Sequence, residues 1–176
     1  LTRPLATQEL DALGRPAPWG VLSVHPMGAT VRLTNDRRLL LRNTVESVSR
    51  MRLSDTQMQR NREGCLSSLT KRFPMLPDIQ LAHYWAGNVC ISRNNKPVFE
   101  RAAPGMYLAG CYNAGGIAMG SLFGQLIVDY ALGDESEQLD QVLGMEKANR
   151  MPPKIFAVPG LHASLAWRRA RGKVEA

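Results

Sequence analysis

Long apolar runs are absent from this sequence, and no stretch reaches the roughly 18 uninterrupted apolar residues that a membrane helix needs. Metal-binding spacing is absent too. The three cysteines (Cys65, Cys90, Cys111) and three histidines (His25, His83, His162) show neither CxxC nor HxxxH spacing, which argues against a structural zinc site. Few and odd-numbered cysteines imply free thiols in a reducing, cytoplasmic setting. No defensible Ser/His/Asp or Cys/His spacing occurs, so no catalytic residue is assigned, although His25 and His83 are candidate bases. There is no internal repeat. The chain opens on Leu1 with no signal-peptide pattern after it, as expected of a segment cut from something longer or released from a tag.

What is present suits one compact globular unit or pieces of two: 44% of residues are apolar and 21% charged. The net charge is +7, with 17 arginines among 22 basic residues. These alternate with Leu, Asp and Glu in separate elements and form no sustained tract. That pattern predicts a solvated surface and no nucleic-acid partner. The densest cluster, Arg168, Arg169, Arg171 and Lys173 after Trp167, suits the negative end of a C-terminal helix.

Along the chain, residues 1–28 read as an irregular entry with a strand at Val21 to Val24. Val31 and Leu33, then Leu39 and Leu41, alternate with Arg32 and Arg42 around Asn35-Asp36, which predicts a hairpin over 30–42. Ser54 and Gln57 have capping-box spacing, and helical periodicity runs from there to Phe73 before Pro74. A second extended stretch is expected over 79–92, and the hairpin and this stretch together predict an antiparallel sheet packed by the helix. A strand at 106–109, a glycine loop at 110–116 and a nearly all-apolar helix to Leu132 follow, with Gly133 as the stop. Ser121, Gln125 and Asp129 form the helix's one polar stripe, so most of its circumference is expected to be buried. Gly116, Gly120 and Gly124 recur every four residues, a spacing associated with close helix contact. A surface helix over 135–148 and a final helix starting at Pro159 complete the reading.

Strand, tight loop and helix start together aim backbone N–H groups and the positive helix end at one point, where an anionic or electron-rich group is welcome. The run Tyr112-Asn113-Ala114-Gly115-Gly116-Ile117-Ala118, followed by Gly120-Ser121 and Gly124, resembles the C-terminal flavin loop and helix of the D-amino-acid oxidase-like superfamily. Glycine oxidases, sarcosine oxidases and bacterial amine oxidoreductases belong to it. Tyr84-Trp85-Ala86-Gly87, Ser92-Arg93-Asn94 and Pro97 are similar to its Trp-x-Gly and Thr-x-Asp/Asn-x-x-Pro patterns. Pro18-Trp19-Gly20, Arg32-Leu33-Thr34 and Arg38-Leu39-Leu40 resemble its substrate-domain strands. The matches keep their order through most of residues 1–133.

The resemblance implies an α+β fold: a mainly antiparallel substrate-domain sheet with packed helices, plus the last strand and helix of an FAD-binding domain. It divides the chain into a substrate-domain-like part (1–103), the flavin-domain strand, loop and helix (104–133), and a helical extension (134–176). Tyr112, Asn113, Ala114, Gly115, Gly116 and Ile117 become candidate cofactor-binding residues. Arg42 and Arg93 become candidates for a substrate carboxylate, which a guanidinium fork binds through two bonds. The implied reaction is oxidation of a small amine or amino acid by hydride transfer to FAD. Three positions depart from the pattern, with Cys111 and Ala114 in the loop and Glu100 upstream standing where glycine is common. The family's Gly-x-Gly-x-x-Gly, which holds the flavin diphosphate, is not in these residues. The expectation is therefore a C-terminal portion that neither retains FAD nor works alone. It would need the missing half, a partner subunit or a second copy of itself. The competing expectation is a non-catalytic remnant that serves as an oligomerisation or interaction module.

Overall fold

The structure, a computed structural model, describes residues 1–24, 28–47 and 52–172. His25 and Lys173 lie outside the described residues. The chain divides into two compact units, one of residues 1–86 with 158–176 and one of residues 87–157. The strand ahead of residue 104, described below, falls in the second unit. The class is α+β with small antiparallel sheets, as the sequence implied.

In the first unit, β1 (Trp19–Leu22), β2 (Thr30–Leu33) and β3 (Leu39–Arg42) form an antiparallel sheet in that order. Val31 pairs with Leu41 and Leu33 with Leu39. The alternation seen in the sequence decides the faces: Val31, Leu33 and Leu39 are buried while Arg32 is exposed. Against them pack Leu69 of α2 (Asp55–Arg72), Leu5, Leu76 and Ile79, making the unit's core. Helix α2 starts where its capping box requires. The Gln57 amide N–H donates to Ser54 Oγ at 3.3 Å, and the Ser54 N–H donates to Gln57 Oε1 at 3.0 Å.

Two expectations for this unit need correction. The entry is not wholly irregular: Thr7–Ala12 form a short helix, α1, whose Glu9 carboxylate accepts the Ala6 N–H at 2.7 Å. Residues 79–92 form no strand, and only Leu81 pairs, in an isolated bridge with Thr2. A β-rich composition makes a strand only where a neighbour offers a ladder to join.

The second unit holds the partner that the sequence reading missed. Strand β4 (Val98–Ala103) pairs antiparallel with β5 (Met106–Gly110), and Pro104-Gly105 turns between them. Gly105 has φ 72°, and Pro followed by a left-handed Gly suits the two middle positions of a tight turn. Helix α3 (Gly116–Leu132) follows and stops at Gly133, which takes φ 81° and sends its N–H back to Asp129 O. Helix α4 (Glu137–Leu143) is capped by Ser136, whose Oγ accepts the Leu139 N–H at 3.2 Å.

An aromatic cluster packs α3 on the β4–β5 hairpin. Phe99 meets Phe123 edge-on at 5.1 Å and stacks on Tyr130 at 6.1 Å, while Tyr107 meets Tyr130 edge-on at 5.4 Å. This corrects the expected burial of α3. Its buried side chains are Phe123 and Leu126, whereas Ile117, Leu122, Val128 and Leu132 are exposed. The glycine stripe seats no neighbouring helix among the described residues; a Cβ at Gly116 or Gly124 would meet nothing within 4 Å.

The final helix, α5 (Lys154–Gly172), begins directly after Pro152-Pro153 and carries Pro159 inside it, not at its start. In its first turn the amides of Phe156 and Ala157 donate to Pro153 O at 2.9 and 3.0 Å. Arg171 lies over the Trp167 ring at 3.9 Å from the centroid. Among the described residues no single helix is long and apolar enough to cross a membrane.

Candidate functional site

The loop between β5 and α3 bends through conformations that L-residues rarely adopt. Cys111 has φ 53°, Asn113 φ 50° and Ala114 φ 72°. Two of these residues, Cys111 and Ala114, stand where the resemblance expects glycine, and the backbone takes the left-handed region despite their Cβ atoms. Asn enters that region more readily than most residues; the other two carry strain.

Asn113 holds the loop in place. Its Nδ2 donates to Cys111 O and its Oδ1 accepts the Ser92 N–H, both at 2.9 Å. Ser92 is itself buried, and its Oγ donates to Lys96 O at 2.7 Å, which closes the turn that ends at Pro97. Asn94 braces the same turn from the far side. Its Nδ2 reaches Glu146 and Lys147, and its Oδ1 accepts the Asn149 N–H at 2.9 Å. Ser92 and Asn94, two residues of the Ser-Arg-Asn pattern, thus have a structural part: Ser92 ties the loop and Asn94 braces the turn beneath it. Two polar residues of one motif, each with a short side chain, were the available signal.

Tyr112 turns inward. Its ring meets Phe123 edge-on at 5.8 Å and lies 3.5 Å from where a Cβ of Gly120 would stand. The tip beyond it is open: Ala114, Gly115, Gly116 and Ile117 are exposed, Ile117 to 92%. The first intrahelical bond at this end runs from Met119 N to Gly115 O at 3.2 Å, so the amides of Gly116, Ile117 and Ala118 precede it. No side chain caps them. A helix start with free amides and a glycine that leaves room for close approach fits an electron-rich ring edge or an anion. The six candidate cofactor residues therefore lie together across the loop and the first residues of α3, with Tyr112 and Asn113 turned to the loop's support and the other four exposed.

The two arginines fall in different units. Arg42, on β3, is committed to the neighbouring strand: Nε and Nη2 donate to Thr30 Oγ1 at 3.1 and 2.7 Å. Arg93 is exposed, one residue from the Ser92 support. His83 is exposed, and its carbonyl accepts from the chain's N-terminal amine at 3.0 Å. Among the described residues no cluster of His, Cys, Asp and Glu is placed to hold a metal.

An open loop, tied to the turn through Ser92 and Asn94, leads into a helix whose Phe123 is buried. Residues 1–130 match the family described as FAD dependent oxidoreductase (DAO), and the chain belongs to that family. It is 30% identical over 104 residues to the Probable oxidoreductase OrdL of Haemophilus influenzae, a match covering 59% of this chain and 22% of that protein. It is 31% identical over 109 residues to the Probable oxidoreductase OrdL of Rhizobium meliloti, covering 57% of this chain and 23% of that protein. The matched stretch of the chain thus spans less than a quarter of the length of these relatives. No solved structure matches it significantly.

Proposed function

We propose that this chain supplies the flavin-facing loop and the substrate-side sheet of an FAD-dependent oxidoreductase that acts on an amine or amino acid. The observation that carries the reading is the uncapped start of α3, where the amides of Gly116, Ile117 and Ala118 open on an exposed loop tip. When bound, FAD supplies the chemistry by accepting a hydride equivalent from the carbon bearing the amine. The chain's part is electrostatic and positional. Amides fixed by the fold, at the positive end of a helix, stabilise negative charge brought to them without reorganising. Asn113 and Ser92 hold those amides in place, and Tyr112 anchors the loop through Phe123. For a substrate carboxylate Arg93 is the better placed guanidinium, since Arg42 is already bonded to Thr30.

The chain alone is expected to hold no FAD and to be inactive, because its residues include no Gly-x-Gly-x-x-Gly for the diphosphate. The remaining half, a partner subunit or a second copy would then complete the site. The second reading, a non-catalytic interaction module, draws on the Cβ atoms at positions 111 and 114, where the family pattern has glycine, and on the exposed apolar side chains of α3.

Absorbance in the blue tests both. The purified chain is expected to be colourless, and a fusion carrying a family cofactor half ahead of Leu1 is expected to be yellow. In that fusion Gly116→Val should release the flavin while leaving the circular dichroism unchanged. A colourless fusion, or one indifferent to G116V, would favour the interaction module.

A further inference from the structure

We propose that Cys90 and Cys111 are a redox modification site, at which hydrogen peroxide oxidises the exposed Cys90 thiol and Cys111 closes a disulfide. The two Sγ atoms lie 3.2 Å apart. Cys90 is exposed in a segment without regular structure, where a small oxidant reaches it, and Cys111 is half-buried in the loop after β5. A second contact shows that the meeting of the two sulfurs is part of the packing. Two residues further along each segment, the Ser92 N–H bonds to Asn113 Oδ1 at 2.9 Å, so the same two stretches are tied together in register. The third cysteine, Cys65, is buried on α2 in the other unit and serves as an internal control.

The step balances with peroxide as the sole oxidant. The Cys90 sulfur, as thiolate, attacks one peroxide oxygen; the O–O bond breaks, and the departing hydroxide takes up the proton Cys90 gave up, leaving a sulfenic acid. The Cys111 sulfur then attacks Cys90 Sγ. The S–O bond breaks, the S–S bond forms, and hydroxide leaves as water with the proton from Cys111. Two thiols lose two electrons and two protons, and one peroxide becomes two waters. Burial first, and then the bond to Cys90, push the Cys111 thiol up. The disulfide would staple the left-handed loop to the segment that already supports it. It does not depend on whether the loop faces a flavin.

The test is brief treatment of the purified protein with hydrogen peroxide, alkylation of remaining thiols, and peptide mapping by mass spectrometry. A linked pair of peptides containing Cys90 and Cys111 from within one chain is expected, lighter by two hydrogens and separated again by dithiothreitol. The thermal midpoint should rise on oxidation and fall back on reduction. Cys90→Ser should abolish both the link and the rise, and Cys111→Ser should leave Cys90 as a sulfenic acid that dimedone traps. Oxidation of Cys90 to sulfinic acid with Cys111 still alkylated would overturn the proposal. So would links only between chains or to Cys65, or an equal rise in midpoint in C90S.

Discussion

The amide N–H of Ser92 donates to the side-chain oxygen of Asn113 at 2.9 Å, across 21 positions of sequence. One short side chain thereby fixes the β5–α3 loop to the turn before β4, while its other end bonds Cys111 O. Replacing Asn113 by Ala leaves the buried Ser92 amide without its partner. Such a loss costs about 1–3 kcal/mol, and Ala fits φ 50° less well than Asn. Urea unfolding of Asn113→Ala is expected to show a lowered midpoint at unchanged slope. Asn113→Gly should lose less, since it keeps the conformation and forfeits only the bonds.

Ala114 takes φ 72° on the exposed tip. A left-handed conformation costs a non-glycine residue roughly 1–2 kcal/mol, and glycine's extra freedom in the unfolded chain returns about 0.5–1 kcal/mol of that. Ala114→Gly is therefore expected to stabilise by up to about 1.5 kcal/mol, read as a rise in the thermal midpoint. Ala114→Val, whose branched side chain tolerates this region worst, should lower it.

How far the sequence predicts these features depends on the range of the interaction. The 30–42 hairpin and the Ser54 cap were legible because alternation and capping are written within a few residues. Gly133 was legible as a stop for the same reason. Strand β4 was not, since Pro104-Gly105 reads equally as a break and as a turn until the partner of β5 is known. Residues 79–92 have strand composition, but composition does not provide a neighbouring ladder. In the site, the loop and helix start were placed correctly from the glycines. The Ser92–Asn113 tie and the Cys90–Cys111 contact join segments distant in sequence, and no local pattern encodes them.

Arg3 and Glu9 form a two-bond pair at 2.6 and 2.8 Å, and the same carboxylate accepts the Ala6 N–H at the start of α1. The bond from Arg3 holds the Glu9 carboxyl below its usual range, with the Ala6 amide and the Arg3 charge adding to it and partial burial opposing. A carboxyl depressed in the folded state binds its proton more readily once unfolded. Its stabilising effect is therefore present above the unfolded pKa and is lost as pH falls through the folded one. Glu9→Gln is expected to be less stable than the parent near neutral pH and to converge with it in acid. Thermal midpoints measured across that range check this; a constant gap at every pH would show that the pair's charge is not what matters.

Phe123 decides which face of α3 is inward. It is 1% exposed and receives the edges or faces of both Phe99 and Tyr112, whereas Leu132, on the same helix, is 74% exposed. Phe to Ala in a packed interior costs about 3–5 kcal/mol through lost transfer energy and the cavity left behind. Substituting an exposed side chain usually moves stability by less than about 0.5 kcal/mol. Phe123→Ala should therefore unfold the unit or lower its midpoint sharply, and Leu132→Ser should leave it nearly unchanged. Coupling offers a finer test. If Phe99 and Phe123 interact through their rings, the double variant loses less than the sum of the two single losses, because the second truncation removes a contact already gone. Phe123→Leu fills most of the volume without the edge-on ring, so its loss should fall between those of the parent and the alanine variant. Strict additivity of F99A with F123A, or a larger effect at Leu132 than at Phe123, would mean that α3 is rotated from the face described here.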